Sequence, residues 1–215
     1  MKKSGFAIVL VAACAGPVWA GGLESLELFV STVKTGRAEF TQVVSAPPKE
    51  GQSPRVKTSS GTFEFSRPNR FKFIYLKPFA QSIVADGQTL WLFDVDLNQA
   101  TARKQSQVLG STPAALIAAA PDLKALQADF TLTDAPDKDG LQWVAAMPKS
   151  KEGQLDTVRV GFRATGKNAE LAALEILDSF GQRSLLTFSK VEVNPTLGPD
   201  AFQFKPPAGT DVIRQ

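Results

Sequence analysis

GTFEFSRPNRFKFIYLKPFAQSIVADGQTLWLFDVDLNQAT, residues 61–101, reads as a run of short strands joined by tight turns. Gly61, Phe63, Phe65 and Arg67 share one parity, so they share one face of a strand. Pro68-Asn69 breaks the run as a turn pair. Phe71, Phe73 and Tyr75 then alternate with Lys72 and Ile74. Asp86-Gly87 stands between two apolar runs, Ile83–Ala85 and Leu90–Phe93, a strong hairpin signal. The stretch therefore predicts an antiparallel meander with one very aromatic face. Arg67 falls on that face, where a charge is expensive unless it is partnered or reaches water past the strand end.

Working outward, Leu23, Leu26, Phe29, Val30 and Val33 recur at helical spacing, predicting an amphipathic helix over 22–35 ended by Gly36. Ala38, Phe40, Gln42 and Val44 alternate as a first strand, and the proline-containing residues 45–56 form a connection. After the meander, Thr112-Pro113 opens an Ala-rich segment, 114–120, apolar nearly all round. Such a helix must lie against apolar surface. Residues 123–127 add a further turn. Strand patterns then resume and run to Phe202 and Phe204, read as a final strand before a polar tail. About eleven strands in antiparallel sequence argue one strongly curved sheet or an unclosed barrel, in a single domain.

Composition narrows the chemistry. The 215 residues contain no His, which excludes His acid–base catalysis and His-ligated metals, and the one Cys, Cys14, excludes a cysteine zinc site. Asp94 and Asp96 could share a face as a carboxylate pair, or simply form a polar turn. Asp137-Lys138-Asp139-Gly140 begins like a calcium loop but lacks the downstream Glu, so it reads as a hairpin turn. Residues 1–20 have the form of a cleaved signal peptide: Lys2-Lys3, a short apolar run broken by Pro17, and Val18-Trp19-Ala20 before the cut. Cleavage removes two of the 24 basic residues and leaves 22 against 21 acidic, so the charge gives no support to nucleic-acid binding. Val11-Ala12-Ala13-Cys14 also has some likeness to a lipoprotein signal.

Fifteen Phe and three Trp, gathered on same-parity positions, fit an ordinary core or a barrel wall with a cavity behind the Ala-rich helix. An acyl chain entering such a cavity would gain about 0.8 kcal/mol per buried methylene. Several chains would soon bind too tightly for release, unless some binding energy is spent on opening a latched lid. Arg67 bonded to lid carbonyls would be one such latch.

Three runs carry a family resemblance: Ser66-Arg67-Pro68-Asn69-Arg70-Phe71-Lys72-Phe73, then Gln81 to Trp91, then Asp96 to Thr101. With Gly110 to Ala118 and Phe202 to Pro207, they resemble the outer-membrane lipoprotein carrier family, LolA, over most of the chain and in the same order. The resemblance implies an unclosed antiparallel β-barrel with a helical lid, residues 21–215 as one periplasmic carrier domain, no enzymatic activity and no cofactor or metal. It also implies a monomer that receives lipoproteins from an ATP-driven inner-membrane transporter and passes them to an outer-membrane receptor lipoprotein. Arg67 takes the family's latch position just before Pro68, and Phe71 a place at the cavity entrance or transfer surface. Phe73 stands where the family often has Trp, which keeps the aromatic wall without an indole hydrogen bond. The expected lining is Phe40, Phe63, Phe65, Phe71, Phe73, Tyr75, Trp91 and Phe93, with Leu90/Leu92 as the competing parity. The expected lid centres on 113–120 and includes Pro113, Leu116 and Ile117, with Leu116 and Ile117 among the cavity candidates. A lipid-binding sensor domain would share such a cavity without transferring cargo.

The cleavage reading is checked by mass spectrometry of the exported protein. The expected N-terminus is an unmodified Gly21. An acylated Cys14 at the N-terminus would instead make the protein membrane-anchored.

Overall fold

The computed structural model of the chain describes residues 21–48, 51, 53–108, 120–150, 153–165 and 168–215. The expected leader, with Cys14, and the expected lid residues 113–119 lie outside these described residues. Helix α1 (Gly22–Thr32) is followed by strands β1 (Thr35–Ser45), β2 (Val56–Ser66), β3 (Arg70–Lys77), β4 (Gln81–Ala85), β5 (Thr89–Asp94) and β6 (Gln99–Lys104). A single turn of helix, α2 (Gln105–Val108), and a short helix, α3 (Leu123–Asp129), precede β7 (Phe130–Lys138). The chain continues with β8 (Leu141–Pro148), β9 (Leu155–Thr165), β10 (Asn168–Asp178), β11 (Arg183–Val193) and β12 (Asp211–Arg214).

All twelve strands form one sheet, in the order β12-β6-β5-β4-β3-β2-β1-β11-β10-β9-β8-β7. Neighbours pair antiparallel except β12, which runs parallel to β6. The ends, β12 and β7, do not meet, so the barrel is unclosed. Strands β2 and β9 stand four places apart, roughly 19 Å in a flat sheet. Yet the ring of Phe29 in α1 lies 6.0 Å from Phe65 in β2 and 5.4 Å from Phe162 in β9. The sheet therefore curls around α1, whose Leu26, Phe29 and Val30 are buried on its concave side.

Turn chemistry sets the hairpins. The Asp86 carboxylate accepts the N–H groups of Gln88 and Thr89, both at 2.7 Å, and closes the β4–β5 turn. Asp139 (φ 56°) and Gly140 (φ 73°) supply the paired left-handed residues of the β7–β8 turn, as the sequence suggests. Asp122 caps α3 by accepting from Ala125 N–H at 2.8 Å.

Three local expectations change. Helix α1 ends at Thr32, and Gly36 lies inside β1, where a Cβ would run into the Phe65 ring. That glycine serves ring packing rather than helix termination. Phe202 and Phe204 are not in a strand. Their segment crosses the convex face with its backbone unpaired in the sheet, while its rings cover that face. The sheet's last strand comes instead from the polar tail, where Asp211–Arg214 pairs with Gln99–Ala102.

The convex side carries its own fastening for the C-terminal segment. Glu64 bridges Lys72 (2.8 Å) and Arg37 (2.7 Å), and Lys72 also donates to the Ala201 carbonyl at 2.9 Å. Burial works to raise the Glu64 carboxyl, but its bonds to Lys72 and Arg37 outweigh this and hold it below its ordinary value.

On the concave side Phe63, only 1% exposed, stacks on Phe73 at 4.3 Å and touches Phe65 and Phe188. Phe63→Ala should lower the unfolding free energy by about 3–5 kcal/mol in urea denaturation. A loss under about 1 kcal/mol would mean this ring is not part of the core.

Candidate functional site

The concave face of β1–β3 is an array of rings. Phe40, Phe63, Phe65, Phe71 and Phe73 are all buried, and Tyr75 is half-buried beside them. They meet mostly edge-on or tilted: Phe40 lies 5.5 Å from Phe73 and 5.0 Å from Tyr75, and Phe71 6.3 Å from Phe73. The register explains the convergence. Phe63 faces Phe73 across the β2–β3 ladder, Phe65 faces Phe71, and Phe73 faces Ile83 of β4. Burial pushes the Tyr75 hydroxyl above its ordinary pKa.

Arg67 closes one end of this array. Strand β2 ends at Ser66, and Arg67 begins the turn completed by Pro68 and Asn69 (φ 65°). Its side chain does not reach water: the residue is 8% exposed. Nε donates to the Val33 carbonyl at the end of α1 and Nη1 to the Ala120 carbonyl, both at 2.9 Å. The guanidinium sits 5.2 Å from the Phe29 ring and 5.3 Å from the Phe65 ring. Nη2 is buried without a hydrogen-bond partner among the described residues, and no described carboxylate pairs with the cation. Burial pushes the pKa down to about 10, so the charge persists at neutral pH.

A second buried polar side chain stands beside this turn. Gln105, 1% exposed at the start of α2, accepts from Gly87 N–H (2.9 Å) and donates to the Asn69 carbonyl (2.5 Å). Gln105 and Ala120, one on each side of residues 109–119, are thus both tied to the Arg67–Asn69 turn.

With this geometry in view, the comparisons with known proteins agree on one family. The family model for the outer membrane lipoprotein carrier protein LolA matches residues 31–205. The outer-membrane lipoprotein carrier protein of Albidiferax ferrireducens is 78% identical over 210 residues, covering 98% of this chain and 99% of the relative. That of Methylibium petroleiphilum is 50% identical over 215 residues, with both chains fully covered. The chain belongs to the LolA family. A crystal structure of a LolA superfamily protein from Nitrosomonas europaea shares the fold, with a TM-score of 0.52 at 13% identity, covering 86% of this chain and 98% of that one.

Within this LolA chain, two of the expected lining residues lie on the wrong side. Trp91 and Phe93 point to the convex face, where Phe204 packs on them at 5.3 and 5.5 Å. Leu90 and Leu92 of β5 join Ile83 and Ala85 in the concave core instead. Both parities of β5 are apolar because both faces are covered, one by the core and one by the C-terminal segment. Of the expected lid, Pro113, Leu116 and Ile117 fall outside the described residues, and only Ala120 is placed, as an acceptor for Arg67. Asp94 ends β5 and Asp96 lies within the β5–β6 turn, where Asp94 accepts the Leu97 N–H at 3.0 Å. Phe29, Phe162 and Phe188 complete the aromatic array, and inward parity in β9 and β11 was the available signal for the last two. Gln105 had no signal, being one polar residue in Lys104-Gln105-Ser106-Gln107.

The Arg67 environment makes a stability prediction. A buried cation without an anionic partner is costly, and a shorter apolar replacement removes that cost along with two hydrogen bonds. Arg67→Leu should remain folded, with a melting temperature within about 5 °C of the wild type. The difference should be flat from pH 6 to 9, because a group with a folded pKa of about 10 stays protonated in both folded and unfolded states there. A loss of cooperative unfolding, or a difference that changes across that range, would contradict this account of the site.

Proposed function

We propose that the protein is a periplasmic lipoprotein carrier that shields the acyl chains of its cargo against the concave aromatic face. It would receive cargo from an ATP-driven transporter in the inner membrane and deliver it to a receptor lipoprotein on the outer membrane. Membership of the LolA family supports the carrier role. The observation that carries the mechanism is the buried Arg67, bonded to the carbonyl of Ala120 rather than to a carboxylate.

In this reading residues 113–120, with Pro113, Leu116 and Ile117 among them, form a lid. Arg67 is the latch that holds the lid shut. The apolar gain from acyl chains grows with every buried methylene, and a closed state held by a charge-assisted hydrogen bond offsets part of it. Loading would break the bond, and release would be helped by its return. Phe40, Phe63, Phe65, Phe71, Phe73 and Tyr75, with Leu90 and Leu92, would be the wall that the chains meet. The cargo is moved and not altered, so the reading calls for no catalytic group. Export by the N-terminal segment would place residues 21–215 in the periplasm.

A transfer assay tests this. The protein lacking residues 1–20 is incubated with spheroplasts or inner-membrane vesicles holding labelled lipoprotein. The expected outcome is release of lipoprotein in a soluble one-to-one complex. Arg67→Leu should take up cargo but pass at least tenfold less to outer-membrane vesicles. No release by a folded wild-type protein from active vesicles would refute the carrier reading, and full transfer by Arg67→Leu would refute the latch.

A further inference from the structure

The aromatic lining of the concave face stops before the sheet does. Along β2 the inward row runs Phe65, Phe63, Gly61 and then Ser59. Along β1 it passes from Phe40 to Gln42, along β4 from Ile83 to Gln81, and along β5 from Leu92 to Asp94. At about 3.3 Å per residue, each of these last three changes from apolar to polar takes one same-face step of about 7 Å. These polar positions and Tyr75 line a cavity of about 470 Å³ at the end of the sheet where the β3–β4 and β5–β6 turns lie. Phe79 and Leu97 stand at its rim, 59% and 71% exposed.

The hydrogen bonds within this cavity are unevenly used. Gln42 donates to the Ser184 hydroxyl at 2.7 Å, and Asp94 accepts from Leu97 N–H at 3.0 Å. The side chains of Ser59, Tyr75 and Gln81 have no hydrogen-bond partner among the described residues. At the other end of the face, Phe65 and Phe71 are 3% and 0% exposed, and two of the Arg67 donors are already committed.

The geometry points to a binding site for the polar head of an acylated peptide: its ester and amide groups lie at Ser59, Tyr75 and Gln81, and its acyl chains run toward Phe63 and Phe73. This assignment rests on the carrier reading and adds to it the orientation of the cargo. Ester and amide carbonyls lose their hydrogen bonds to water if drawn among phenylalanines, where nothing replaces them. The hydroxyls of Ser59 and Tyr75 and the amide of Gln81 can donate to such carbonyls. Lys57 stands against the two carboxylates of Asp94 and Asp96 around the same cavity, so the site offers no net positive charge to an anionic head. The peptide then leaves past Phe79 and Leu97 into solvent.

The test is site-specific photo-cross-linking. A benzophenone amino acid replaces Gln81 at the proposed site, or Gln88 in the exposed β4–β5 turn at the opposite end of the sheet. Each mature protein is loaded with lipoprotein from spheroplasts, irradiated, and the attachment site on the cargo is mapped by mass spectrometry. Position 81 should attach to the acylated cysteine's glyceryl group or to the first residues after it, and position 88 should not. In addition, the paired substitution Ser59→Val/Gln81→Leu should shorten the lifetime of the cargo complex at least fivefold while the circular dichroism spectrum is kept. Attachment of the cargo N-terminus at position 88, attachment of acyl carbons at position 81, or an unchanged lifetime would overturn the orientation. A wild-type protein that acquires no lipoprotein would overturn the carrier reading itself, and the orientation with it.

Discussion

One awkward constraint stands at the centre of the fold: a guanidinium held inside an aromatic core without a carboxylate. Removing a cation from water still costs several kcal/mol after the surroundings relax. Two hydrogen bonds from a charged donor return about 1.5–3 kcal/mol each, and a desolvated cation over an aromatic face about 2 kcal/mol. These gains come close to the cost and leave Nη2 of Arg67 unsatisfied. The protein clearly has the means to pair charges, since Arg37, Glu64 and Lys72 form a bridged set on the convex face. An arrangement that pairs ions outside and leaves one cation unpaired inside is not optimised for stability alone.

What Arg67 touches gives the contact its reach. The same turn holds the end of α1 through Val33, the Ala120 carbonyl through Nη1, and the buried Gln105 amide through Asn69. The backbone N–H of Arg67 also donates to the Lys34 carbonyl at 2.8 Å. A displacement at Ala120 therefore bears on the turn between β2 and β3, the two strands whose rings are most tightly interlocked. Close-packed rings transmit such a displacement rather than absorb it.

How much of this was legible in the sequence depends on how many layers cover a strand. In β3 and the Phe63–Phe65 half of β2 the inward residues are aromatic while the outward ones include Glu64, Arg70 and Lys72, so parity alone places Phe63, Phe65, Phe71 and Phe73. In β5 that contrast vanishes. Phe204, more than a hundred residues away in sequence, buries the outer face and makes Trp91 and Phe93 as necessary there as Leu90 and Leu92 are inside. Strand β12 was illegible for the opposite reason. All four of its residues are exposed, and parallel pairing along an edge leaves no alternation to read. Arg67 stood out because it broke a pattern. Gln105 broke none, although its two hydrogen bonds are equally buried in purpose.

The two faces of the sheet also explain why a protein with such an apolar interior need not associate through it. The convex rings are sealed by the protein's own C-terminal segment, which is fastened by Lys72 to Ala201 and by the stacking of Arg70 on Phe202 and Arg214 on Trp91. The backbone of β6 is satisfied by β12, so that edge presents a short, polar-flanked strand and not a long unpaired one. The concave rings are covered by α1 on one side of the sheet, where Phe29 spans from β2 to β9. On the other side, along β3 to β5, no described helix plays that part. Here the inward row meets the cavity lined by Tyr75, Gln81 and Asp94. Sealing of the convex rings and of the β6 edge, with α1 over half of the inner face, leaves the half along β3 to β5, where Phe71, Phe73 and Leu90 are buried, without a described helix over it. That is the half Arg67 borders.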